Sequence, residues 1–349
     1  MLLIGAPMIA WLKNKQWKKG STVDETWAVR EDTPDTHQKK QGTPSMGGIG
    51  IIAATLCAVI ALCFELAARS YRAYIPSFPS SPGMLEAFFC FAAPFVVAIV
   101  LSLYGLLGFA DDFSKASGQG GLRARTKLIS QIILALGFVA YIVVMSSTVR
   151  SSSYISPIFE NITFIKAAFL AFIIVAVCNA VNLTDGIDGL AAGLTVQSAL
   201  MLGFAGTNFL ATENFSRFTL VALAGACLGF LHFNKHKARV FMGDTGSLAI
   251  GAALGAGAIL QHAVFLLPFI GFIYFVEMFS VIAQVLWFKW TKRKTGEGKR
   301  LFRRAPLHHH FELGGWSEWR VVGTFWAINL FTSAIGLWLW HAGVLPRWP

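Results

Sequence analysis

Residues 87–113 read AFFCFAAPFVVAIVLSLYGLLGFADDF. The apolar run 87–109 is long enough, at 1.5 Å per helical residue, to cross the roughly 30 Å hydrocarbon layer of a bilayer. It runs straight into Asp111 and Asp112 with no cation beside them. A carboxylate at mid-membrane costs about 2.5–3.5 kcal/mol to insert, so the twin acids mark where this span leaves the membrane. Acids at a helix C-terminus also oppose the macrodipole, which calls for a compensating cation. Adjacent helical side chains point about 100° apart, so the two acids do not easily chelate one ion together and have different tasks.

The rest of the chain agrees with a membrane setting. Of 349 residues, 55% are hydrophobic and 13% charged, and the mean hydropathy is +0.59, too apolar for a soluble domain. Cys57, Cys63, Cys90, Cys178 and Cys227 all lie inside apolar runs without metal-ligand spacing, which points away from redox chemistry. Apolar segments fall near 1–12, 46–67, 87–109, 127–148, 162–181, 188–210, 218–233, 246–261, 263–289 and 319–343. The first is too short to span, and reads as a shortened first helix rather than a signal peptide. Gly189 with Gly193 and Gly251 with Gly255 carry the spacing that lets membrane helices approach closely. The expected fold is an all-α polytopic bundle of about ten transmembrane helices, with 1–349 as one transmembrane catalytic domain.

If successive segments alternate direction, the connections after segments 1, 3, 5, 7 and 9 share one side. Those connections hold 23 of the 29 Lys and Arg residues of a chain whose net charge is +11. The positive-inside rule makes that side cytoplasmic. The polar motifs lie in the same connections: HQKKQGTPSMGG (37–48), ADDFSK (110–115), NAVNLTDGIDG (179–189), FNKHKARVFMGDTGS (233–247) and APLHHHFE (305–312). Five loops therefore converge on one face.

Asp111, Asp112, Asp185, Asp188 and Asp244 all sit at helix ends. Carboxylates from several loops, joined by hydroxyls and amides rather than thiols, suit a hard oxygen-liganded ion such as Mg²⁺, which typically takes one or two carboxylates plus substrate phosphates. Asp188 and Asp244 each precede a Gly-rich apolar helix, and ordinary helix capping is the competing reading for both. Lys39, Lys40, Lys115 and Lys127 offer anion-binding charge, with setting the topology as the competing role. The helices that begin at Asp188 and Asp244 are expected to aim free backbone N–H groups at the same anion. The run KRKTGEGKRLFRR (292–304) is chiefly a topology and anionic-lipid feature.

His308, His309 and His310 diverge as neighbours and have no cysteine or second histidine group to complete a zinc site, so substrate or phosphate contacts are preferred. Glu277 falls near the middle of the apolar segment 263–289, where an acid is expensive, and is open to a paired structural role or a direct one. The string DTGS after Gly243 raises an intramembrane aspartyl protease, but those use Gly-x-Gly-Asp and Phe241 stands at the first glycine position. A transporter would cluster its ionisable groups near the midplane, where only Glu277 lies.

The motifs KKQGTPSMGG, GFADDFSK, NAVNLTDGIDGLAAG, FMGDTGSLAIG and PLHHHFELGGW, in that order over nearly the whole chain, resemble those of the polyprenyl-phosphate N-acetylhexosamine-1-phosphate transferase superfamily. The HHHFE triplet looks like the branch that transfers phospho-MurNAc-pentapeptide; the GlcNAc-1-phosphate branch is the alternative. The resemblance implies a ten-helix bundle in the bacterial inner membrane with both ends outside and cytoplasmic active-site loops. It also implies Mg²⁺-dependent transfer from UDP-MurNAc-pentapeptide to undecaprenyl phosphate, yielding a lipid-linked diphosphosugar and UMP for peptidoglycan synthesis. Membrane lipid is the surrounding partner, a homodimer is left open, and no nucleic acid is involved.

Carried over residue by residue, Asp244 resembles the magnesium ligand, Asp111 the base or metal-proximal acid and Asp112 a second essential acid. His308 and His309 fall in the motif that approaches the nucleotide-sugar, with His310 beside them. Lys40, Ser45, Asn182, Asp185, Asp188, Asn234 and Phe241 fall where the superfamily builds its nucleotide pocket, with Phe241 as the uracil-stacking face; Lys115, Lys127 and Asn179 complete the expected substrate-binding set. Three departures stand out: the short first helix, Lys237 where proline is common, and Ser45 where threonine is commoner.

Overall fold

The computed structural model describes residues 1–14, 42–74, 84–148, 163–205 and 216–346, with backbone alone at 66–74, 84–94 and 145–148. Lys39 and Lys40 lie outside the described residues. Eight described helices are long and apolar enough to cross a membrane: α2 (Gly48–Tyr74), α3 (Met84–Ala116), α4 (Ala124–Thr148), α5 (Phe164–Thr184), α7 (Ser216–Asn234), α8 (Gly243–Leu260), α10 (Phe272–Thr295) and α12 (Glu318–His341). Two shorter apolar helices, α1 (Leu2–Asn14) and α6 (Leu190–Phe204), stand at the first and sixth expected segments. Short pieces α9 (Leu267–Ile270) and α11 (Leu307–Glu312) are the remaining α-helices among the described residues. The expected polytopic all-helical bundle is what forms.

Helix α8 is the axis of the bundle. Its residues Thr245–Ile259 are all buried, and it packs against α2, α3 and α5. Such close approach requires backbones to touch. A side chain at Gly251 would meet the backbone of Cys178 on α5, and one at Gly108 on α3 would meet the backbone of Asp244 and Thr245. The small-residue spacing read from the sequence thus seats α5 on α8, with Ile174 under Gly255. Gly251→Leu is expected to overpack this seam, with a thermal midpoint lower by the equivalent of about 1–3 kcal/mol. Gly137→Leu, where nothing lies within 4 Å, is the control and should leave the midpoint unchanged.

The apolar segment 263–289 differs from expectation. It opens with a 3-10 turn at Val264–Leu266, passes through α9, breaks at Gly271, and continues as α10 to Thr295. Pro268, near the start of α9, has no amide hydrogen to give to a continuous helix. The break is tolerated because α12 and α6 supply the missing partners: Asn329 donates to the Ile270 carbonyl at 3.2 Å and accepts from the Ile273 amide at 3.4 Å, and Ser198 donates to the same carbonyl at 2.5 Å. Glu277 therefore lies in the second turn of α10, close to a helix start. At the other end Gly296, at φ 81°, closes α10 behind Lys292, Arg293 and Lys294, cations that suit a helix C-terminus.

Candidate active site

The connections that parity assigned to one face do meet. Backbone of the segment before α2 pairs with the segment before α8: the Phe241 amide donates to Pro44, and the amides of Gly47 and Gly48 donate to Phe241 and Met242, at 2.8–2.9 Å. Ser45 lies beside Gly243 and Asp112.

Asp111 and Asp112 diverge as the helical angle requires. Asp112 Oδ1 accepts from the Asp244 amide at 3.1 Å, and Oδ2 accepts from the Thr245 amide at 2.9 Å and the Thr245 hydroxyl at 2.7 Å. These amides are among those a helix start leaves without an intrahelical partner. Met242, in the cap position, supplies no side-chain bond, so Asp112 caps α8 from a different helix. Two sequence readings are corrected here. Capping, the competing reading for Asp244, is not what its side chain does, and the Asp244 and Thr245 amides are not free for an anion because Asp112 already takes them. The α6 reading changes likewise: Gly189, at φ 80°, holds the cap position without a side-chain bond, while Asp188 accepts from the Ala238 amide at 3.0 Å.

Asp111 turns to the opposite side. Its Oδ1 accepts from the Leu122 amide at 2.6 Å, and its Oδ2 lies 2.9 Å from Lys115 Nζ and 3.2 Å from Lys127 Nζ. The same ammonium groups lie 2.7 and 2.6 Å from Asp244 Oδ2. Asp244 Oδ1 accepts from Asn182, whose Nδ2 also reaches Ser247 Oγ at 2.8 Å. Two carboxylates from α3 and α8 thus share two lysines from α3 and α4, and the four charges cancel. The compensating cation required at the end of α3 is this lysine pair. A hard divalent ion also fits the donor set: Asp111 Oδ2, both Asp244 oxygens and Ser247 Oγ are all oxygens, with no thiolate or imidazole among them.

The remaining expected residues divide. Asp185 ends α5 as its C-cap, one turn beyond Asn182. Asn179 is drawn away from the carboxylates by bonds to Gln131 Oε1 and the Val175 carbonyl, both 2.7 Å. Buried Asn234 accepts from the Gly189 amide and donates to the Val240 carbonyl, each at 3.0 Å, so its amide splices two loops together. His236 Nδ1 lies 3.5 Å from Glu318 and 4.0 Å from Asp188. These three donors lie within 4.8 Å of one another and tie the start of α12 to both loops; their mixed nitrogen and oxygen set is unlike the all-oxygen group at Asp244.

The three histidines on α11 have three different partners. His308, fully buried, turns Nδ1 to Glu277 at 3.2 Å; His309 Nδ1 bonds Glu312 at 2.9 Å; His310 Nδ1 accepts from the Arg303 amide at 3.1 Å. Burial holds His309 well below its ordinary 6.5, down to about 4, with the nearby His308 and Arg304 adding to the shift and Glu312 partly opposing it. A histidine kept neutral when folded stabilises above its ordinary titration range, and that contribution is lost as pH falls from about 6.5 toward 4. The amide protection factors of 307–312, taken relative to the intrinsic exchange rate at each pH, are therefore expected to be lower at pH 5 than at pH 7.5, and His309→Gln should flatten the difference. Sequence reading did not single out Thr245, Ser247, Glu318 or the link from Glu277 to His308. The first two stood in plain view inside the FMGDTGS motif.

The all-helical bundle with its acid–lysine centre matches a family of transferases: the family model described as glycosyl transferase family 4 covers residues 94–262. The chain is 41% identical over 317 residues to the phospho-N-acetylmuramoyl-pentapeptide-transferase of Geobacillus sp. (strain WCH70), covering 89% of this chain and 88% of the relative. It is 40% identical to the protein of that name in Desulforamulus reducens, over 89% and 88% of the two chains. The counterpart in Chlorobium chlorochromatii is 37% identical, over 96% and 88%. The chain belongs to the phospho-N-acetylmuramoyl-pentapeptide-transferase family.

Proposed function

We propose that the protein transfers phospho-MurNAc-pentapeptide from UDP-MurNAc-pentapeptide to undecaprenyl phosphate, releasing UMP, at the cytoplasmic face of the bacterial inner membrane. The observation that carries this reading is the pair of carboxylates, Asp111 and Asp244, sharing Lys115 and Lys127 at one end of the bundle. Such a centre suits anion transfer, which needs positioning and charge neutralisation more than covalent chemistry. The cytoplasmic assignment rests on 23 of the 29 basic residues falling in the converging connections.

Asp244 and Asp111, with Asn182 and Ser247 nearby, would hold Mg²⁺. When bound, that ion neutralises the diphosphate and stabilises the departing oxygen. Lys115 and Lys127, at the same carboxylates, would meet the substrate phosphates. Asp111 keeps the attacking lipid phosphate deprotonated and oriented. Phe241 and Asp185 border the nucleotide, with Lys40 and Ser45 on the neighbouring loop.

The test uses detergent-solubilised protein with undecaprenyl phosphate and Mg²⁺, offering UDP-MurNAc-pentapeptide or UDP-GlcNAc separately. UMP release from the first donor alone is expected; release from UDP-GlcNAc alone would overturn the substrate assignment.

A further inference from the structure

Glu277 is fully buried on a membrane helix, and its role was open from the sequence. Its Oε1 accepts the backbone amide of His308 at 3.0 Å and faces His308 Nδ1 at 3.2 Å. One oxygen therefore receives two groups of one residue, which fixes both the start of α11 and the angle of the imidazole. An oxygen accepting at both contacts requires the hydrogen on Nδ1. Nε2 is then the ring's outward atom. Among the described residues it is buried without a hydrogen-bond partner, and it abuts Gly186 so closely that no side chain would fit there. Gly186 separates Asp185 from Ile187, one turn from the Asn182 that holds Asp244.

We infer that Glu277 is a positioning residue for the transfer reaction. It locks His308 in the Nδ1–H tautomer with Nε2 packed on Gly186, and through that contact sets the Asp185–Ile187 loop beside Asn182 and the reaction centre. The inference rests on the proposed transferase reading. The Ser280 hydroxyl, donating to the Glu277 carbonyl at 2.6 Å, stiffens the same turn of α10. The glutamate acts through the histidine and does not touch substrate.

A double-mutant cycle on UMP release tests this, with wild-type turnover measured first. An inactive wild type defeats the transferase reading, whereas an active wild type isolates the present inference. Glu277→Leu is expected to lower kcat/KM at least about tenfold, and His308→Ala by as much or more. The double variant should be no worse than His308→Ala alone, because the glutamate works only through that ring. Glu277→Gln, whose amide oxygen can still accept both N–H groups, should stay within about threefold of wild type. A merely structural carboxylate would instead give losses that multiply in the double variant, or full activity in Glu277→Leu, and either result overturns the inference. Should Glu277→Leu fail to yield folded protein, Glu277→Ser takes its place in the cycle with the same two outcomes.

Discussion

Asp244→Asn is expected to abolish most turnover, lowering kcat by about a hundred- to a thousand-fold, while the purified protein keeps its thermal midpoint. Asparagine has the shape of aspartate and can still meet Asn182, while the start of α8 stays capped by Asp112. It removes the charge that faces Lys115 and Lys127 at 2.7 and 2.6 Å, and with it the one carboxylate whose two oxygens both face the centre. Losing a preorganised electrostatic group in a sheltered site commonly has an effect of this size. UMP release across a Mg²⁺ series is the measurement. A variant that retains more than a tenth of wild-type kcat would show that the charge at residue 244 is not what the reaction uses.

Asp112→Ala is expected to fail in a different way. It deprives the Asp244 amide, the Thr245 amide and the Thr245 hydroxyl of their shared acceptor. A lost helix cap costs roughly 1 kcal/mol, and buried donors left unmatched cost about 1–3 kcal/mol more. The folded state should therefore weaken by about 2–4 kcal/mol, and turnover should fall with it, because the cap sets the position of Asp244. Asp112→Asn offers a single carbonyl oxygen to donors on two sides and should fall between the two. Denaturation in detergent alongside UMP release separates the pair: Asp244→Asn loses activity alone, Asp112→Ala loses both. Equal stability of Asp112→Ala and wild type would contradict the capping role.

The sequence carried the bundle well, because membrane spans are written as long apolar runs and charge bias orients them. Ten segments were legible, and so was the meeting of five connections, since parity and charge agreed. What escaped depends on contacts between distant helices. That Asp112 caps α8 across 132 positions has no local signature, and Asp244 looked like a cap only because it precedes a Gly-rich helix. The break before α10 was missed because Pro268 and Gly271 are embedded in apolar residues, and its polar groups are satisfied from Asn329 and Ser198 far away in sequence. Glu277, an acid within an apolar run whose role the sequence left open, is the seat of His308. Asn179 and Asn234 were read as pocket residues from their motifs, yet both amides are used inside the scaffold.

Cysteine scanning at Gln119, Lys235 and Glu297, three exposed positions in three of the converging connections, is the most direct test of a shared centre. Single cysteines at these positions, in a background without the native five, would be exposed to an impermeant maleimide in sealed vesicles of each orientation. All three should label from the side that bears the basic loops and from that side only. Labelling of Gln119 and Lys235 from opposite sides would put Asp111 and Asp244 at opposite faces of the membrane, and no common reaction site could then exist.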